Sequence, residues 1–358
     1  MKQKLLDWFY KNYPELVHEM NNTEHGYLGT EPNPYHLEGS ILRHSKMVME
    51  QAKKYDILEL YIIAMLHDIG KTKVQEDIHD KKRRRFVNHE AVSVFMAEPI
   101  LDKLLKTYTF DKDIVLKTIA RHGSLYNYMK NGRILPKHFN KIARMFKTSY
   151  ELDMLKIFFY CDHTGRIQNI TKVNIEDIMS DFNTIIGMIN DSCIDTEVIP
   201  EKTLTILIEP PRVGKSTYIS TLLELQSDKV GTIISRDVLV EKFGKGNSYS
   251  EKWKSLTNKD QKDIDKELQM QFQNAVKQGK SIIVDMTNIS KKSRRKWINP
   301  CKQKDYYVKC IVFIEPKEVL MSRMTPEKNI PEKVIDLMMR SFVFPDYSEA
   351  DEITIFKG

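Results

Sequence analysis

Residues 60–71 read LYIIAMLHDIGK, an apolar run that ends in a histidine, an aspartate and a glycine. The neighbouring side chains of His67 and Asp68 can bind one hard or borderline divalent cation. Gly70 can end the helix, which lets both side chains turn toward the same point. The stretch therefore predicts a buried helix with a metal site at its end.

The chain around this stretch has helical periodicity. Apolar residues recur at three- and four-residue spacing in Ile41–Met49, Ile57–Leu66, Ala91–Leu105, Ile114–Ile119 and Leu152–Phe159. Glycines interrupt the pattern, and no segment alternates clearly enough to predict a strand. We therefore expect an all-α domain over residues 1–185, with the basic run Lys81–Arg85 in a loop.

Further residues that can bind a metal fall at inward positions or at helix ends of this domain. His44 and Asp162 lie on the apolar faces of their predicted helices, so both side chains point toward the core. A carboxylate carried inward needs a cation as its partner. His89 and His122 lie at helix ends, and all ten histidines of the chain lie in its first half. This distribution favours metal or acid–base chemistry in the first domain.

The pattern changes after residue 200. Short β-rich runs occur at Leu204–Ile208, Thr232–Ile234, Ile282–Val284 and Val308–Ile314, with helical stretches such as Ile264–Val276 between them. Alternating strands and helices predict an α/β domain with a parallel sheet. Residues 186–202 are polar and poorly periodic, so we expect a linker there and a second domain over residues 203–358.

Residues 208–217 read IEPPRVGKST and follow the first of these strands. Strand, loop, Gly-Lys-Ser and helix are the context of a Walker A phosphate-binding loop. The nucleotide-binding candidates are Gly214, Lys215, Ser216 and Thr217. Lys215 would bridge the β- and γ-phosphates of ATP, and Ser216 would ligate Mg²⁺. The motif has glycine where this chain has Glu209, and an acid there opposes a phosphate.

Two acids and one arginine of the second domain are candidates for kinase chemistry. Asp237 follows the second strand, where a carboxylate can take a proton from an acceptor hydroxyl. Asp285 ends the third strand in the same layer. Arg323 precedes a polar segment that could form a lid carrying a charge-stabilising arginine.

Composition restricts the class of protein. The 358 residues carry a net charge of +7, which suits phosphate-rich partners. The four cysteines are scattered and form no Cys-x-x-Cys, which argues against a disulfide framework and a cysteine-based zinc site. No apolar run has the length of a bilayer span, and the first residues do not have the pattern of a signal peptide. We therefore expect a cytoplasmic protein.

The order His44, His67-Asp68, His89, His122 and Asp162 resembles the HD superfamily of metal-dependent phosphohydrolases over about residues 20–180. The resemblance implies that a first metal is held by His44, His67, Asp68 and Asp162. It also implies that His89 and His122 bind a second metal or the scissile phosphate, with Lys71 on the phosphate. Residues 34–40 look like the version in bacterial tRNA nucleotidyltransferases, which adds His36 as a substrate-binding candidate. Imidazole and carboxylate ligands suit Mn, Fe, Co, Ni or Zn.

The second domain resembles the 5′-hydroxyl polynucleotide kinase of phage RNA-repair enzymes over about residues 203–345. That likeness implies ATP and Mg²⁺ as cofactors, Asp237 as general base, Asp285 and Asn288 around the acceptor, and Arg323 on the lid. The family has an arginine three residues after the base, where this chain has Val240. Together, the two domains resemble the HD-Pnk end-healing family. This implies a 2′,3′-phosphoesterase and 5′-kinase that acts on RNA or DNA ends with a separate ligase.

Two alternatives stay open on the sequence. One is a nucleotide phosphohydrolase fused to a kinase for a nucleoside or another small molecule. The other is an HD phosphohydrolase whose second domain has a degenerate loop and senses ATP without transferring phosphate.

Overall fold

The computed structural model describes residues 2–25, 33–78, 83–86, 88–143, 146, 148–170, 173–191, 202–211, 215, 218–220, 231–325, 330–345 and 349–357. The chain folds into two compact units, Met1–Ile194 and Asp195–Gly358. Within the described residues, no helix combines the length and the apolar character that a membrane crossing requires.

The first unit is built mainly from helices. They are α1 (Lys2–Asn12), α2 (Pro14–Asn22), α3 (Ile41–Ala52), α4 (Leu58–Leu66), α5 (His89–Leu104), α6 (Lys112–Arg121), α7 (Phe139–Ala143), α8 (Ser149–Thr164) and α9 (Ile175–Asp191). Helix α4 is buried on all sides, with each residue from Leu60 to Leu66 at most 3% exposed, because α3, α6 and α8 pack around it. The predicted helical domain is confirmed. Helix α9 continues past residue 185, where the sequence analysis ended this domain.

Two short hairpins interrupt the helices, and the sequence analysis missed both. They pair β1 (Gln75–Ile78) with β2 (Arg83–Phe86) and β3 (Met129–Lys130) with β4 (Arg133–Ile134). The prediction of a loop for the basic run was therefore wrong for Arg83–Arg85; Lys81 and Lys82 lie outside the described residues. Arg85 stands opposite Glu76 and Arg84 opposite Asp77, with ion-pair distances of 2.8 and 2.7 Å. Opposite charges facing each other across two strands favour pairing.

The second unit contains a five-stranded parallel sheet. Its strands are β5 (Thr203–Ile208), β6 (Thr232–Ser235), β7 (Ile282–Asp285), β8 (Tyr307–Ile314) and β9 (Glu352–Lys357), in the order β6-β7-β5-β8-β9. The accompanying helices are α10 (Arg236–Phe243), α11 (Tyr249–Ser255), α12 (Asn258–Lys277), α13 (Lys291–Lys302), α14 (Lys317–Ser322) and α15 (Glu332–Ser341). The predicted α/β class is confirmed, and β9 adds an edge strand that the sequence analysis did not identify.

A buried cluster holds the helices α14 and α15 on this sheet. It consists of Leu207, Ile283, Ile311, Phe313, Leu320 and Ile335. Because all five strands of this sheet are parallel, their carboxyl ends lie at one edge of the sheet. The predicted kinase residues Asp237 and Asp285 lie at these strand ends, as does Glu209, the departure from the Walker A motif.

Candidate metal centre and candidate kinase site

Asp68 stands at the centre of the first unit's polar cluster, directly after α4. Its Oδ2 atom lies 3.3 Å from His67 Nε2 and 3.9 Å from His44 Nε2. The carboxylate of Asp162, carried by α8, lies with Oδ1 2.9 Å from His44 Nε2 and 3.8 Å from His67 Nε2. All four side chains are at most 8% exposed. The fold therefore brings the four predicted ligands of a first metal together.

The other carboxylate oxygen of Asp68 faces a second pair of histidines. Asp68 Oδ1 lies 3.3 Å from His89 Nε2 and 3.5 Å from His122 Nε2. The two Nε2 atoms are 3.2 Å apart. Asp68 can therefore bridge two ligand groups, one with His44 and His67 and one with His89 and His122.

Three of these imidazole rings are fixed by the same local hydrogen bond. In His67, His89 and His122, Nδ1 lies 3.1, 3.0 and 2.7 Å from the carbonyl oxygen three residues earlier. An Nδ1–H that donates to this carbonyl leaves a lone pair on Nε2, as in a histidine that binds a metal. Two such lone pairs facing each other at 3.2 Å repel unless a cation or a proton lies between them.

The chemistry of these donors fits divalent cations. The buried Nε2 of His67 and Oδ1 of Asp68 have no hydrogen-bond partner among the described residues. Burial by itself would raise the pKa of Asp68, but His67 and Lys71 hold it well below its usual range. The carboxylate is therefore anionic, and neutral imidazoles with anionic carboxylates suit the transition metals named above.

Gly70 allows the helix α5 to approach Asp68. A Cβ on Gly70 would lie 2.4 Å from His89 O and 2.5 Å from Ser93 N, distances at which backbone atoms must shift. The Gly70 amide also donates to Ser93 Oγ at 2.9 Å. A glycine at this position thus keeps His89 within reach of Asp68.

Two cations lie beside the carboxylates. Lys71 Nζ is 2.7 Å from Asp68 Oδ2, and the Arg166 guanidinium donates to both the side chain and the backbone oxygen of Asp162. The sequence analysis predicted Lys71 but missed Arg166. The signal for Arg166 was its position four residues after Asp162, one turn further along the chain.

A third layer of side chains lies behind His44. Glu38 is 2% exposed, and its Oε1 lies 3.0 Å from His44 Nδ1 and 2.8 Å from His36 Nδ1. Glu38 Oε2 accepts from the Ile167 amide at 3.0 Å. Burial lowers the pKa of His36 to about 4, although Glu38 opposes the shift. Glu38 was not among the predicted site residues, and its contact with His44 indicates that it orients this histidine.

The carboxyl edge of the second unit's sheet holds one lysine between two acids. Lys215 Nζ lies 2.7 Å from Glu209 Oε1 and 2.7 Å from Asp285 Oδ1. Burial raises the pKa of Glu209 to about 7, although Lys215 opposes the shift. Burial would lower the pKa of Lys215, but Glu209 and Asp285 raise it. The predicted ligands Gly214, Ser216 and Thr217 lie outside the described residues.

The remaining predicted kinase residues have defined neighbours. Asp237, in the first turn of α10, accepts from the Tyr249 hydroxyl at 2.7 Å. The side-chain amide of Asn288 donates to three backbone carbonyls, among them Leu207 O at 3.0 Å. Asn288 therefore shapes the turn after β7. Arg323 Nη2 lies 2.9 Å from Glu315 Oε1. The structure brings Asp285 to Lys215.

Val240 occupies a position that the sequence analysis singled out. Its side chain is 0% exposed and lies in α10. A buried valine contributes to packing and offers no polar contact to a substrate.

Comparison with known protein families gives a match within each of the two units. Residues 41–162 match the family model of the HD domain, and residues 204–345 match the family model of an AAA domain. No curated protein matches the chain in a sequence comparison.

Two solved structures are similar to part of the chain. One, described as a putative kinase from Chloroflexus aurantiacus, has 13% identity and a TM-score of 0.31 over 44% of this chain and 86% of its own. A gluconokinase of Sinorhizobium meliloti has 13% identity and a TM-score of 0.30 over 43% of this chain and 82% of its own. The chain therefore contains a region that matches the HD-domain model within its helical first unit and a region that matches an AAA-domain model within its α/β second unit.

Proposed function

We propose that this protein heals broken nucleic-acid ends. The first unit would remove a 2′,3′-cyclic phosphate or a 2′- or 3′-phosphate, and the second would transfer phosphate from ATP to a 5′-hydroxyl. The observation that carries the proposal is the convergence of four predicted histidine ligands on the carboxylate of Asp68. The net charge of +7 supports a polyanionic substrate. RNA or DNA ends, a separate ligase and a cytoplasmic location belong to the same proposal.

In the first unit, the residues divide into ligands and phosphate-binding groups. His44, His67, Asp68 and Asp162 would hold one divalent cation, and Asp68 with His89 and His122 a second. Such an ion, when bound, lowers the pKa of water enough to supply a nucleophile near neutral pH. Lys71 and Arg166 would stabilise the charge that develops on the phosphate oxygens. His36 would contact the substrate from the layer behind His44.

In the second unit, Lys215 would bind the β- and γ-phosphates, with Ser216 on Mg²⁺ and the amides of Gly214 and Thr217 around the phosphates. Asp237 would take the proton of the 5′-hydroxyl as the hydroxyl oxygen attacks the γ-phosphorus, and the bond from that phosphorus to the β–γ bridging oxygen breaks to release ADP. Arg323 would stabilise the transferring group, and Asp285 and Asn288 would shape the acceptor site.

One assay tests both activities. An RNA with a 5′-hydroxyl and a 2′,3′-cyclic phosphate is incubated with γ-labelled ATP, Mg²⁺ and Mn²⁺, and both ends are analysed. We expect label on the 5′ end and loss of the 3′-terminal phosphate. Asp68→Ala should abolish phosphate release and keep labelling. Retained phosphate release in this variant would refute the site, and equal activity on mononucleotides would favour a small-molecule kinase and nucleotide phosphohydrolase.

The contact between Glu209 and Lys215 supports a second candidate. An acid on the phosphate-binding lysine competes with ATP phosphates, which suits a unit that senses ATP without transfer. ATP binding without labelling of the 5′-hydroxyl RNA would favour this candidate over a kinase.

A further inference from the structure

His25 lies in the first unit, before the residues that match the HD-domain family model. Its ring is 3% exposed and stacks on His36, with centroids 4.2 Å apart and planes at 10°. It also contacts His44 and Phe86 edge-on, at 5.3 and 6.1 Å. The ring is therefore held from several sides against the metal-ligand cluster.

The backbone fixes this position as well. The His25 amide donates to Gly39 O at 2.9 Å, and the Ile41 amide donates to Thr23 O at 3.0 Å. These bonds form a short antiparallel bridge between residues 24 and 40. The segment after α2 is thereby tied to the start of α3, the helix that carries His44.

The Nε2 atom of His25 points to Asp68. It lies 3.8 Å from Asp68 Oδ2, which is beyond hydrogen-bond distance. Within the described residues, this buried Nε2 has no hydrogen-bond partner. A buried polar atom without a partner is costly, so a ligand that supplies the partner would bind favourably.

The surroundings favour an anion over a metal as that ligand. Lys71 Nζ lies 2.7 Å from the same Asp68 Oδ2, so it offsets the charge of that carboxylate and places a cationic donor near His25. The groups of described side chains that lie close enough to share a metal include Asp68, His44 and His67, but not His25. An imidazole N–H and a lysine ammonium that lie on the same carboxylate can both donate to one phosphate oxygen beside it.

We propose that His25 is a phosphate-binding residue of the first unit, whose Nε2–H donates to a non-bridging oxygen of the phosphate ester beside Lys71. This inference rests on the proposed phosphoesterase function and adds a contact from outside the matched domain. The ring of His36 supports the face of His25.

The test compares wild type, His25→Ala and His25→Gln in the full-length protein. His18→Ala, an exposed histidine on α2, is the matched control. Calorimetry gives the affinity for Mn²⁺ alone and then for inorganic phosphate in the presence of Mn²⁺. Steady-state kinetics with an RNA 2′,3′-cyclic phosphate give kcat and KM.

We expect His25→Ala to bind Mn²⁺ within about twofold of wild type and to bind phosphate at least about tenfold more weakly, with a raised KM. His25→Gln keeps a donor in place of Nε2 and should recover part of the phosphate affinity. His18→Ala should match wild type in all three measurements. This pattern separates phosphate contact from ring packing, since packing alone gives no recovery by glutamine.

Three results would overturn the inference. Unchanged phosphate affinity and KM in His25→Ala would make the ring purely structural. A loss of Mn²⁺ affinity as large as the loss of phosphate affinity would make His25 a metal ligand. If wild type shows no Mn²⁺-dependent phosphate binding, the proposed phosphate site beside His25 does not exist. If wild type binds phosphate but cleaves no RNA end, the proposed function fails, and the phosphate titrations still decide the role of His25.

Discussion

Replacing Glu209 by glutamine should strengthen ATP binding at pH 8 and change it little at pH 6. In the wild-type protein, Glu209 lies 2.7 Å from Lys215, the residue that would hold the phosphates. Only an ionised Glu209 both repels the nucleotide and holds Lys215 in an ion pair. Glutamine has nearly the same shape as the protonated acid, so the variant mimics the binding-competent form at every pH.

The size of the effect follows from the pKa of Glu209, which burial raises to about 7. At that pKa the carboxyl is about 90% ionised at pH 8 and about 10% ionised at pH 6. If only the neutral form binds, the apparent dissociation constant increases about tenfold between these pH values. The charged groups that set this pKa are Lys215, Asp285 and Asp237.

The assay is calorimetric titration of the full-length protein with Mg²⁺ and a non-hydrolysable ATP analogue at pH 6, 7 and 8. The nucleotide also titrates in this range, so the informative quantity is the ratio of wild-type to variant affinity at each pH. Glu349→Gln is the matched control, since Glu349 is another buried glutamate of this unit and is paired with Arg294 at 2.9 Å. Its affinity profile should follow wild type.

The reasoning fails if wild type and Glu209→Gln show the same pH dependence. It also fails if the variant binds the analogue more weakly than wild type at pH 8, because Glu209 would then assist the lysine. Glu209→Gly, which restores the glycine of the Walker A motif, should bind at least as tightly as Glu209→Gln.

Three further predictions concern other parts of the chain. Glu38→Gln should weaken Mn²⁺ binding about 10- to 100-fold, because Glu38 orients His44, one of the predicted ligands. Glu50→Gln, at an exposed position, should leave Mn²⁺ affinity unchanged. Equal calorimetric affinities of the two variants would contradict this. Asp237→Ala should retain ATP affinity and lose at least about 100-fold in 5′-phosphoryl transfer, and undiminished labelling would reject the base assignment. Gly70→Ala should destabilise the fold by about 2 kcal/mol or more, since its Cβ would lie 2.4 Å from a backbone oxygen. Gly187→Ala, whose Cβ meets open space, should stabilise the fold by about 0.5–1 kcal/mol. Equal melting temperatures of the two variants would refute the comparison.

Much of the first unit's cluster followed from the sequence, because its ligands lie on periodic helices. His44 and Asp162 were predicted to point inward from the apolar faces of their helices, and both are buried. The His67-Asp68 pair follows the most apolar helix, so its depth was predictable as well. The roles of these residues as ligands stay predictions.

Residues that precede or link the helices were not predictable in the same way. His25 and Glu38 lie on non-periodic segments, and each reaches the site through contacts across the fold. The pairing of Glu76 with Arg85 across β1 and β2 depends on a chain reversal that charge patterns alone do not indicate. Local periodicity therefore identifies the residues that helices carry inward, whereas side chains from connecting segments require the tertiary structure.

The two candidate sites differ in how their charged groups are paired before a metal ion or a nucleotide binds. In the first unit, Asp68 and Asp162 are held in anionic form, and buried imidazole nitrogens face their carboxylates. A bound cation would relieve the repulsion between these oxygen and nitrogen lone pairs. In the second unit, Lys215 is already paired with two acids of its own chain. An incoming phosphate must replace at least one of these contacts, and protonation of Glu209 lowers that cost. In the first unit, Lys71 and Arg166 are paired with the carboxylates, but among the described residues Asp68 Oδ1 and His67 Nε2 have no hydrogen-bond partner and can take a cation directly. Nucleotide binding in the second unit must break an ion pair of Lys215. If one of the two activities is weak, this difference predicts that it is the kinase.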